Sequence, residues 1–404
     1  MVEKCIGVIM DKKYINVNSK KDCCGCRNCE NICPKSAIKM TEDKEGFLYP
    51  KIDENKCVNC GLCKSVCPWI NESSKDDKLD MPKCYALINK DTVVQRKSSS
   101  GGAFGVFAKE ILKSGGYVCA SIMDEDLIVK HIITNKESDL EQMYGSKYVS
   151  SDLKDNFPKI KRLLNKNNKV LFCGVPCQVN ALLKYLQKKY ENLITIEIIC
   201  HGVPSQKLFS EYIKYYKKKH NCRVIKYEFR NKRAAYWGTY KALITIEKNG
   251  KFFLKKENAD FDKYYHNFLE SNCNRESCYS CKYATKERYA DITLGDFWGI
   301  EHIKPSFIDK NGVSEIIINT NKGNELFESI KECINFERIS FDEIIKYNAQ
   351  LDNPSIRTKQ RDIFYDQIGN ESYFKHIRVS KSLKTYIKVL IPSSLKFYIK
   401  KLRK

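Results

Sequence analysis

The sequence has no long apolar run. None of its 404 residues lie in a segment near the roughly 18 consecutive apolar residues that a membrane-spanning helix needs. The start of the sequence also lacks the apolar core and small-residue cleavage site of a secretory signal. We therefore expect a cytoplasmic protein. The length predicts more than one domain, because a single core stops growing at about 250–300 residues.

Familiar nucleotide and nucleic-acid motifs are missing as well. Neither G-x-G-x-x-G nor the Walker A spacing occurs, and no DNA- or RNA-binding motif appears. The formal net charge of +22 still requires a nucleic-acid partner to be considered. Much of that charge lies in a short tail, since residues 371–404 hold ten Lys or Arg and one Glu. We therefore expect no nucleic-acid partner.

Cysteine, in contrast, is abundant. Twenty cysteines in a chain without a secretory signal indicate metal binding rather than disulfides. Eight of them form the spacing C-x2-C-x2-C-x3-C-P twice, with the prolines at Pro34 and Pro68. The runs are Cys23, Cys26, Cys29 and Cys33, and then Cys57, Cys60, Cys63 and Cys67.

This doubled spacing resembles that of dicluster ferredoxins over residues 15–70. In that pattern three close cysteines hold one four-iron cluster, and the last cysteine of each run ligates the other cluster. A zinc site is disfavoured, because it usually needs only two C-x2-C pairs. The segment between the runs predicts two short strands and a turn. The predicted ligand sets are Cys23, Cys26, Cys29 and Cys67, and then Cys57, Cys60, Cys63 and Cys33, which leaves Cys24 unassigned.

The composition changes after a polar, charged stretch at 71–82 that is typical of a linker. The following segment, KSSSGGAFGVFAKEILKSGGYVCAS, predicts a serine- and glycine-rich loop, a helix from about Ala103 to Lys113, and a strand. Glycines ahead of a helix allow backbone N–H groups to approach a phosphate. A plain loop that enters a packed helix has the same pattern, so both interpretations stay open.

Further cysteines follow apolar segments. KVLFCGVPCQVNALLKYLQ predicts a strand, a turn and a helix, and LITIEIICHGVPS repeats the plan with a strand that ends at Cys200. Ligands collect at such strand ends in α/β proteins. Two interpretations stay open. These cysteines could form a third metal site, which would hold either a cluster or zinc, or they could be buried and act only as small apolar side chains. The candidates are Cys177, Cys200, Cys278 and Cys281, and Cys173 or Cys273 could replace one of them.

Six segments occur in the order typical of one known family: SSSGGAF, YGSKYVSSDL, GVPCQVNALL, CHGVPS, SCYSCKYA and ADITLGDFWGI. Over residues 15 to about 340 the chain resembles the beta subunit of coenzyme F420 hydrogenase/dehydrogenase with an N-terminal dicluster ferredoxin. The resemblance implies an α/β (mixed α+β) protein, with a small ferredoxin-like dicluster domain and a larger mixed-sheet domain. The larger domain would consist of 83–165 and 166–340, and 341–404 would form a helical, basic amphipathic extension.

The resemblance also implies FAD beside one 4Fe-4S cluster, ligated at the positions of Cys177, Cys200, Cys278 and Cys281. Glycines could meet the pyrophosphate of FAD, and a lysine could offset its charge, although a solvated surface lysine is the alternative. The flavin contacts carried over are Ser100, Gly101 and Gly102, together with Gly145, Ser146, Lys147 and Tyr148.

Two further residues are candidate catalytic groups. His201 follows Cys200 and could protonate a reduced product, or could instead hydrogen-bond a cluster or the backbone. Asp296 could orient flavin or substrate, or could instead be required by its turn.

A flavin near three clusters exchanges two electrons as a hydride on one side and passes single electrons on the other. We therefore predict an oxidoreductase that exchanges a hydride between FAD and coenzyme F420 or another organic molecule. Three 4Fe-4S clusters would connect it to a soluble partner protein, with the direction of flow open. The alternatives are an electron-transfer or regulatory iron–sulfur protein without catalysis, and a nucleic-acid-binding iron–sulfur protein.

The basic tail carries two apolar stripes on either side of Pro392. A basic amphipathic helix of this kind contacts anionic membranes or docks on the protein's own body, so peripheral contact with the inner membrane surface is one expectation. The stripes are Phe374, Ile377, Ile387 and Leu390, and then Leu395, Tyr398, Ile399 and Leu402.

Overall fold

The computed structural model describes residues 14–71, 77–366, 368–370, 373–377, 379 and 383–402. The strands are β1 Ile38–Glu42, β2 Leu48–Ile52, β3 Lys78–Asn89, β4 Tyr117–Met123, β5 Val129–Thr134, β6 Val170–Gly174, β7 Leu193–Ile198, β8 Arg223–Glu228, β9 Lys241–Lys248, β10 Lys251–Asn258, β11 Ile292–Asp296, β12 Ser314–Thr320 and β13 Ile334–Ile339.

The helices are α1 Asn28–Ile32, α2 Leu62–Ser65, α3 Thr92–Lys97, α4 Ala103–Lys113, α5 Leu140–Met143, α6 Asn156–Asn165, α7 Pro176–Leu186, α8 Gln206–His220, α9 Lys263–Leu269, α10 Ile300–Ile303, α11 Asn321–Ser329, α12 Phe341–Ile345, α13 Gln360–Asp366, α14 Tyr373–His376, α15 Leu383–Leu390 and α16 Ser393–Leu402.

The N-terminal module has the two short strands that the sequence predicts between its cysteine runs. β1 and β2 pair antiparallel, and Asp43 closes the turn because its carboxylate accepts the backbone N–H groups of Glu45 and Phe47. Gly46 has a φ of +83°, and a Cβ at this position would lie 2.2 Å from Cβ of Lys207 on α8. The hairpin therefore lies directly against the larger domain.

An eight-stranded mixed sheet, in the order β13-β3-β12-β11-β7-β6-β4-β5, forms the centre of the larger domain. Its middle strands β4, β6, β7 and β11 are parallel, and the outer strands pair antiparallel. This confirms the predicted mixed-sheet fold class. The predicted linker at 71–82 needs correction, because β3 begins at Lys78; residues 72–76 lie outside the described residues.

Helices cover both faces of the large sheet. The predicted helix from Ala103 to Lys113 is confirmed as α4, and its Phe107 and Ile111 are buried on one face with Phe327 of α11. On the other face, α6 and α7 pack Phe157 and Leu182 against the sheet, and the N-terminal module packs on these two helices. The sheet thus separates two cores, and the module covers one of them.

A smaller antiparallel sheet, in the order β10-β9-β8, packs beside α8 and α9. Its aromatic core includes Phe209, Tyr212 and Tyr264, which are all buried. The segment between β8 and β9 leaves this sheet and brings Arg230 and Tyr240 to the large domain's cavity.

The C-terminal segment docks on the body through one predicted stripe residue, Phe374, whereas most of the other stripe residues do not take part. Phe374 is buried and stacks on Tyr215, whereas on α16 the buried residue is Phe397, whose ring lies 5.9 Å from that of Tyr236. The predicted stripe residues Ile387, Leu390, Leu395, Tyr398 and Ile399 are exposed, Ile377 is half-buried, and the side chain of Leu402 lies outside the described residues. Among the helices that the structure describes, none is long and apolar enough to cross a membrane.

Candidate functional site

A cavity of about 630 Å³ lies where the parallel strands of the large sheet end. Ser121, Gly174, Ile198 and Asp296, from the carboxyl ends of β4, β6, β7 and β11, all contribute to its wall. Parallel strands end at one edge of a sheet, so short loops there bring side chains from distant parts of the chain together.

Two predicted flavin-contact segments meet in the wall of this cavity. The hydroxyl groups of Ser99 and Ser146 lie 2.7 Å apart, and the backbone N–H of Ser146 donates to Ser99. Ser100 donates to the carbonyl oxygen of Val313 at 2.6 Å. The predicted residues that line the cavity are Ser100, Gly102, Gly145, Ser146, Lys147 and Tyr148.

Gly101 has a different position from the other predicted flavin contacts. A Cβ at this residue would lie 2.1 Å from the carbonyl oxygen of Leu87 and 2.6 Å from the backbone nitrogen of Ser314. The loop therefore lies directly on β3 and β12, and glycine is required there by this close packing. Contact of Gly101 with a cofactor stays a prediction.

Lys147 is a half-buried lysine in the cavity wall and not a fully solvated surface residue. Its ammonium donates to the carbonyl oxygens of Met143, Tyr144 and Gly145 at 2.8, 3.0 and 3.3 Å. Burial lowers the pKa of Lys147 to about 7. The side chain thus stabilises the C-terminus of α5 and brings a titratable cation to the segment predicted to hold pyrophosphate.

Asp296 forms part of a buried ion-pair network. Its carboxylate accepts hydrogen bonds from two guanidinium nitrogens of Arg230. It also accepts one from the indole N–H of Trp237, with 2.9 Å between nitrogen and oxygen. The guanidinium also lies over the rings of Tyr240 and Trp298, at 5.0 and 5.4 Å. Asp296 therefore positions Arg230 and this aromatic wall, which is an orienting role rather than that of a free acid.

His201 lies in the cavity wall beside the third cysteine set. One ring nitrogen, Nε2, lies 3.0 Å from the hydroxyl of Ser271, and the ring packs edge-on against Phe268. Burial lowers the pKa of His201, which favours a neutral imidazole near pH 7. The structure places His201 where a cavity ligand would meet it, and its proton-transfer role stays a prediction.

Sequence reasoning missed two residues that shape the site. His131 on β5 lines the cavity, stacks on Phe172, and uses both ring nitrogens, towards Ser151 and the carbonyl oxygen of Cys173. Lys232 donates to the carbonyl oxygen of Ser100 and thereby holds the serine-rich loop. No local motif surrounds either residue in the sequence, so only the fold reveals their partners.

The first predicted ligand set faces the larger domain. Its members Cys23, Cys26, Cys29 and Cys67 line one small cavity inside the module, together with Cys24. Cys24 and Cys26 also line the large cavity. This set is therefore the inner one of the module.

The second predicted set lies nearer the surface. Cys60 is exposed, Cys57 and Cys33 are half-buried, and Cys63 is buried. Backbone N–H groups donate to two of these sulfurs, from Ile15 to Cys63 at 3.1 Å and from Ala37 to Cys33 at 3.3 Å. N–H···S bonds of this kind favour the thiolate and tune iron–sulfur clusters.

The third predicted set converges beside Cys24. The thiol of Cys24 interacts with those of Cys26, from the inner set, and Cys177, from the third set. Cys177 lies in the first turn of α7, next to Pro176, and Cys200 follows the end of β7. Cys200 and Cys281 interact electrostatically with each other and with both Cys177 and Cys278.

A buried ion pair positions this third set. Glu197 on β7 accepts the guanidinium of Arg288, which also donates to the carbonyl oxygens of Tyr283 and Thr285. Both charged side chains are almost completely buried. The pair thus connects the strand before Cys200 to the loop that follows Cys281.

The third set has the donor chemistry of a cluster site. Burial raises the pKa of Cys200 to about 12 and also raises the pKa of Cys278 and Cys281, so thiolates there need the positive charge that metal supplies. The backbone N–H of Gly202 donates to the sulfur of Cys200 at 3.3 Å. Among the described residues, no three His, Cys, Asp or Glu side chains are grouped for a single metal ion.

Cys173 and Cys273, which could replace a ligand, have different surroundings: Cys173 lines the same cavity as Cys177 and Cys200, whereas Cys273 does not. Cys273 is buried in the aromatic core, where its carbonyl oxygen accepts the hydroxyl of Tyr365 at 2.7 Å. Cys173 lies on β6 near Lys147. The assignment of Cys177, Cys200, Cys278 and Cys281 as the ligands stays a prediction.

Comparison with known proteins defines the class. Residues 22–70 match the 4Fe-4S dicluster domain, and residues 167–343 match the family described as the C terminus of the coenzyme F420 hydrogenase/dehydrogenase beta subunit. The chain is thus similar to a dicluster domain in its N-terminal module and to the C-terminal domain of this hydrogenase/dehydrogenase family in part of its larger domain. These matches confirm the resemblance seen in the sequence.

Individual relatives have low identity to this chain. A subunit of the F(420)H(2) dehydrogenase of Methanosarcina mazei is 22% identical over 395 residues, which are 94% of this chain and 99% of that protein. Coenzyme F420-dependent sulfite reductase of Methanocaldococcus jannaschii is 27% identical over 336 residues, 78% of this chain. The match spans only 47% of that reductase.

One solved structure is also similar. A chain from the F420-reducing NiFe hydrogenase complex of Methanosarcina barkeri aligns over 74% of this chain and 95% of its own length. The sequence identity is 17% and the TM-score is 0.44.

Proposed function

We propose that this protein is a flavin and iron–sulfur oxidoreductase that exchanges a hydride between FAD and coenzyme F420 or another organic molecule. One observation carries the proposal: a single cavity is lined both by the predicted flavin segments and by Cys24, Cys26, Cys177 and Cys200. FAD supplies the conversion between hydride and single-electron transfer when it is bound. The relatives that act on coenzyme F420 support this choice of substrate class.

Three tasks in this reaction would fall to residues of the chain itself. Ser100 and Ser146 would lie against the flavin phosphates and the charge of Lys147 would offset theirs, because all three residues line the same cavity. Arg230 and Trp298 would hold a planar substrate against the flavin, since they form an aromatic, hydrogen-bonded surface. His201 would hold or move a proton at Nε2.

The cysteine sets define the proposed electron path. The third set touches the inner set through Cys24, Cys26 and Cys177, and the outer set has the exposed Cys60. Electrons would therefore pass between flavin, third cluster, inner cluster and outer cluster, and leave or enter at the module's surface. A soluble electron-transfer protein is the expected partner.

Cofactor analysis of protein purified without oxygen tests the proposal. We expect about twelve irons with matching sulfide, as three four-iron clusters require, and one FAD per chain. The double variant Cys278→Ser/Cys281→Ser should lower the iron to about eight, whereas Cys333→Ser, at an exposed cysteine outside all three sets, should not. About eight irons and no flavin in the parent protein would favour an electron carrier without catalysis.

Loaded protein then permits a test of the substrate. Reduced coenzyme F420 should bleach the flavin absorbance under argon, and a panel of other hydride donors should identify the substrate if it does not. A cytoplasmic location, peripheral contact of the tail with an anionic membrane, and the absence of a nucleic-acid partner stay predictions. Salt-dependent binding to nucleic acid would contradict the last of them.

A further inference from the structure

Four arginines are buried among the residues that the structure describes: Arg230, Arg275, Arg288 and Arg361. Three of them have a carboxylate partner, namely Asp296, Glu197 and Glu45 respectively. Arg275 has no carboxylate within ion-pairing distance in the described part of the chain. A buried charge without a counter-charge is costly, so the surroundings of Arg275 need an explanation.

The guanidinium of Arg275 spans the boundary between the two domains. Its Nε donates to the carbonyl oxygen of Cys23 at 2.6 Å, and its Nη2 donates to that of Leu48 at 2.7 Å. The group lies over the ring of Tyr49 at 4.2 Å. The backbone of Gly25 is so close that a Cβ there would lie 3.0 Å from Nη1.

The same residue is also tied to the third cysteine set. Its backbone N–H donates to the carbonyl oxygen of Val203, in the loop after Cys200, and its carbonyl oxygen accepts the N–H of Cys278. The charge of Arg275 interacts with the sulfurs of Cys23, Cys24 and Cys278. Sulfurs from the inner set and the third set are thus its neighbours, and they carry negative charge when they ligate clusters.

The structure assigns Arg275 as the shared counter-charge of the inner ferredoxin cluster and the third cluster, and as the residue that positions one against the other. This inference rests on the proposed third cluster. An oxidised four-iron cluster with four thiolates has a charge of about −2, and reduction makes it more negative. A fixed cation between two such clusters favours the reduced form of each, and therefore raises both potentials.

The test is a redox titration followed by electron paramagnetic resonance, on the full chain purified without oxygen. In Arg275→Gln we expect two of the three cluster signals to move to more negative potential. The third signal, from the outer set, should stay unchanged. Arg275→Lys should return both signals towards the parent values, because the charge is kept although the bidentate geometry is lost.

Arg357→Gln is the matched control, because Arg357 is a partly exposed arginine that pairs with Glu276 and Asp362. It should leave all three potentials unchanged. Three unshifted signals in an Arg275→Gln protein with full iron would overturn the inference while leaving the proposed function intact. About eight irons in the parent protein would instead remove the third cluster and the proposed function with it.

Arg275→Gln could fail to keep its iron, and Arg275→Lys then decides. If the signals of the inner cluster and the third cluster keep the parent potentials in the lysine variant, the counter-charge role of Arg275 is supported, because the charge is kept and only the geometry has changed. A shift of these two signals to more negative potential in Arg275→Lys would overturn that role.

Discussion

The carboxylate of Asp296 lies between the guanidinium of Arg230 and the indole of Trp237, and it accepts hydrogen bonds from both. In Asp296→Asn the buried Arg230 would lose its counter-charge, and breaking a buried pair in this way costs about 3–5 kcal/mol. We expect a clear fall in the melting temperature under argon. The double variant Arg230→Leu/Asp296→Leu should recover part of the loss, because no unpaired charge remains.

Asp126→Asn is the control for this experiment, because Asp126 is exposed in a turn. Its melting temperature should match that of the parent protein. A stable Asp296→Asn protein would contradict the positioning role and return Asp296 to the candidates for a free acid.

His131 should make stability depend on pH. Burial lowers its pKa to about 4, whereas an unfolded histidine titrates near 6.5, so below pH 6.5 the unfolded state binds a proton that the folded state does not. Stability should therefore fall as the pH falls, with a contribution of about 1.4 kcal/mol lost between pH 7.5 and 5.5. His131→Gln should show a smaller loss in melting temperature over this range.

The exposed His302 provides the comparison for His131. His302→Gln should keep the pH dependence of the parent protein. If His131→Gln keeps it as well, the buried imidazole is not its source.

At the scale of elements, the β1–β2 turn sets how closely the module approaches α8. Gly46→Ala would place a methyl group 2.2 Å from Cβ of Lys207, in addition to the penalty of a positive φ. Gly115→Ala has a similar φ of +75° but no atom within 4 Å, so it should cost only about 1 kcal/mol. We expect Gly46→Ala to melt lower than Gly115→Ala and to expose the module to limited proteolysis.

Iron content separates the two ways in which Gly46→Ala could act. The change lies outside every cysteine set, so the iron per chain should stay at the parent value. Equal melting temperatures for both glycine variants would show that the turn does not press on α8 in solution.

Several elements were predictable because their signals are local. Cysteine spacing, glycine position and apolar periodicity define β1, β2, α4 and α7 within about twenty residues of sequence. The start of β3 was not predictable from the sequence. Its first residues are polar and resemble a linker, and they form a strand only because they pair with β12. The predicted buried face of α16 was wrong for a similar reason. Phe397 is buried because it packs against Tyr236, which lies far away in the sequence.

The candidate site follows the same rule. The serine, glycine and cysteine segments carry short motifs, so the sequence indicates them. Arg275 and His131 act through groups that lie far away in the chain, at Cys23 and Phe172, and nothing in their own neighbourhood predicts this. Charge compensation between distant residues becomes visible only when the fold brings them together.

At the scale of the whole molecule, one buried ion pair joins the N-terminal module to the C-terminal segment. Both guanidinium nitrogens of Arg361 donate to Glu45, at 2.9 and 2.7 Å, across 316 residues of sequence. Arg361→Gln leaves Glu45 buried without its partner, which should cost about 3–5 kcal/mol. We expect a lower melting temperature and faster amide hydrogen exchange in the module's hairpin.

Arg357→Gln is again the control, since Arg357 is partly exposed, pairs with the exposed Asp362, and leaves Glu276 paired with Arg361; a surface pair contributes about 0–1 kcal/mol. Hydrogen exchange in the hairpin should stay at the parent rate in that variant. Unchanged exchange in Arg361→Gln would show that the other domain contacts are sufficient to hold the module.

The position of Arg361 late in the chain has a consequence for biosynthesis. The ribosome completes the module, with its cysteines, long before it makes the residue that locks the module against the body. The Glu45–Arg361 pair can therefore form only after residue 361 has been made, whereas the Arg27–Asp152 pair, which also joins the module to the body, can form much earlier.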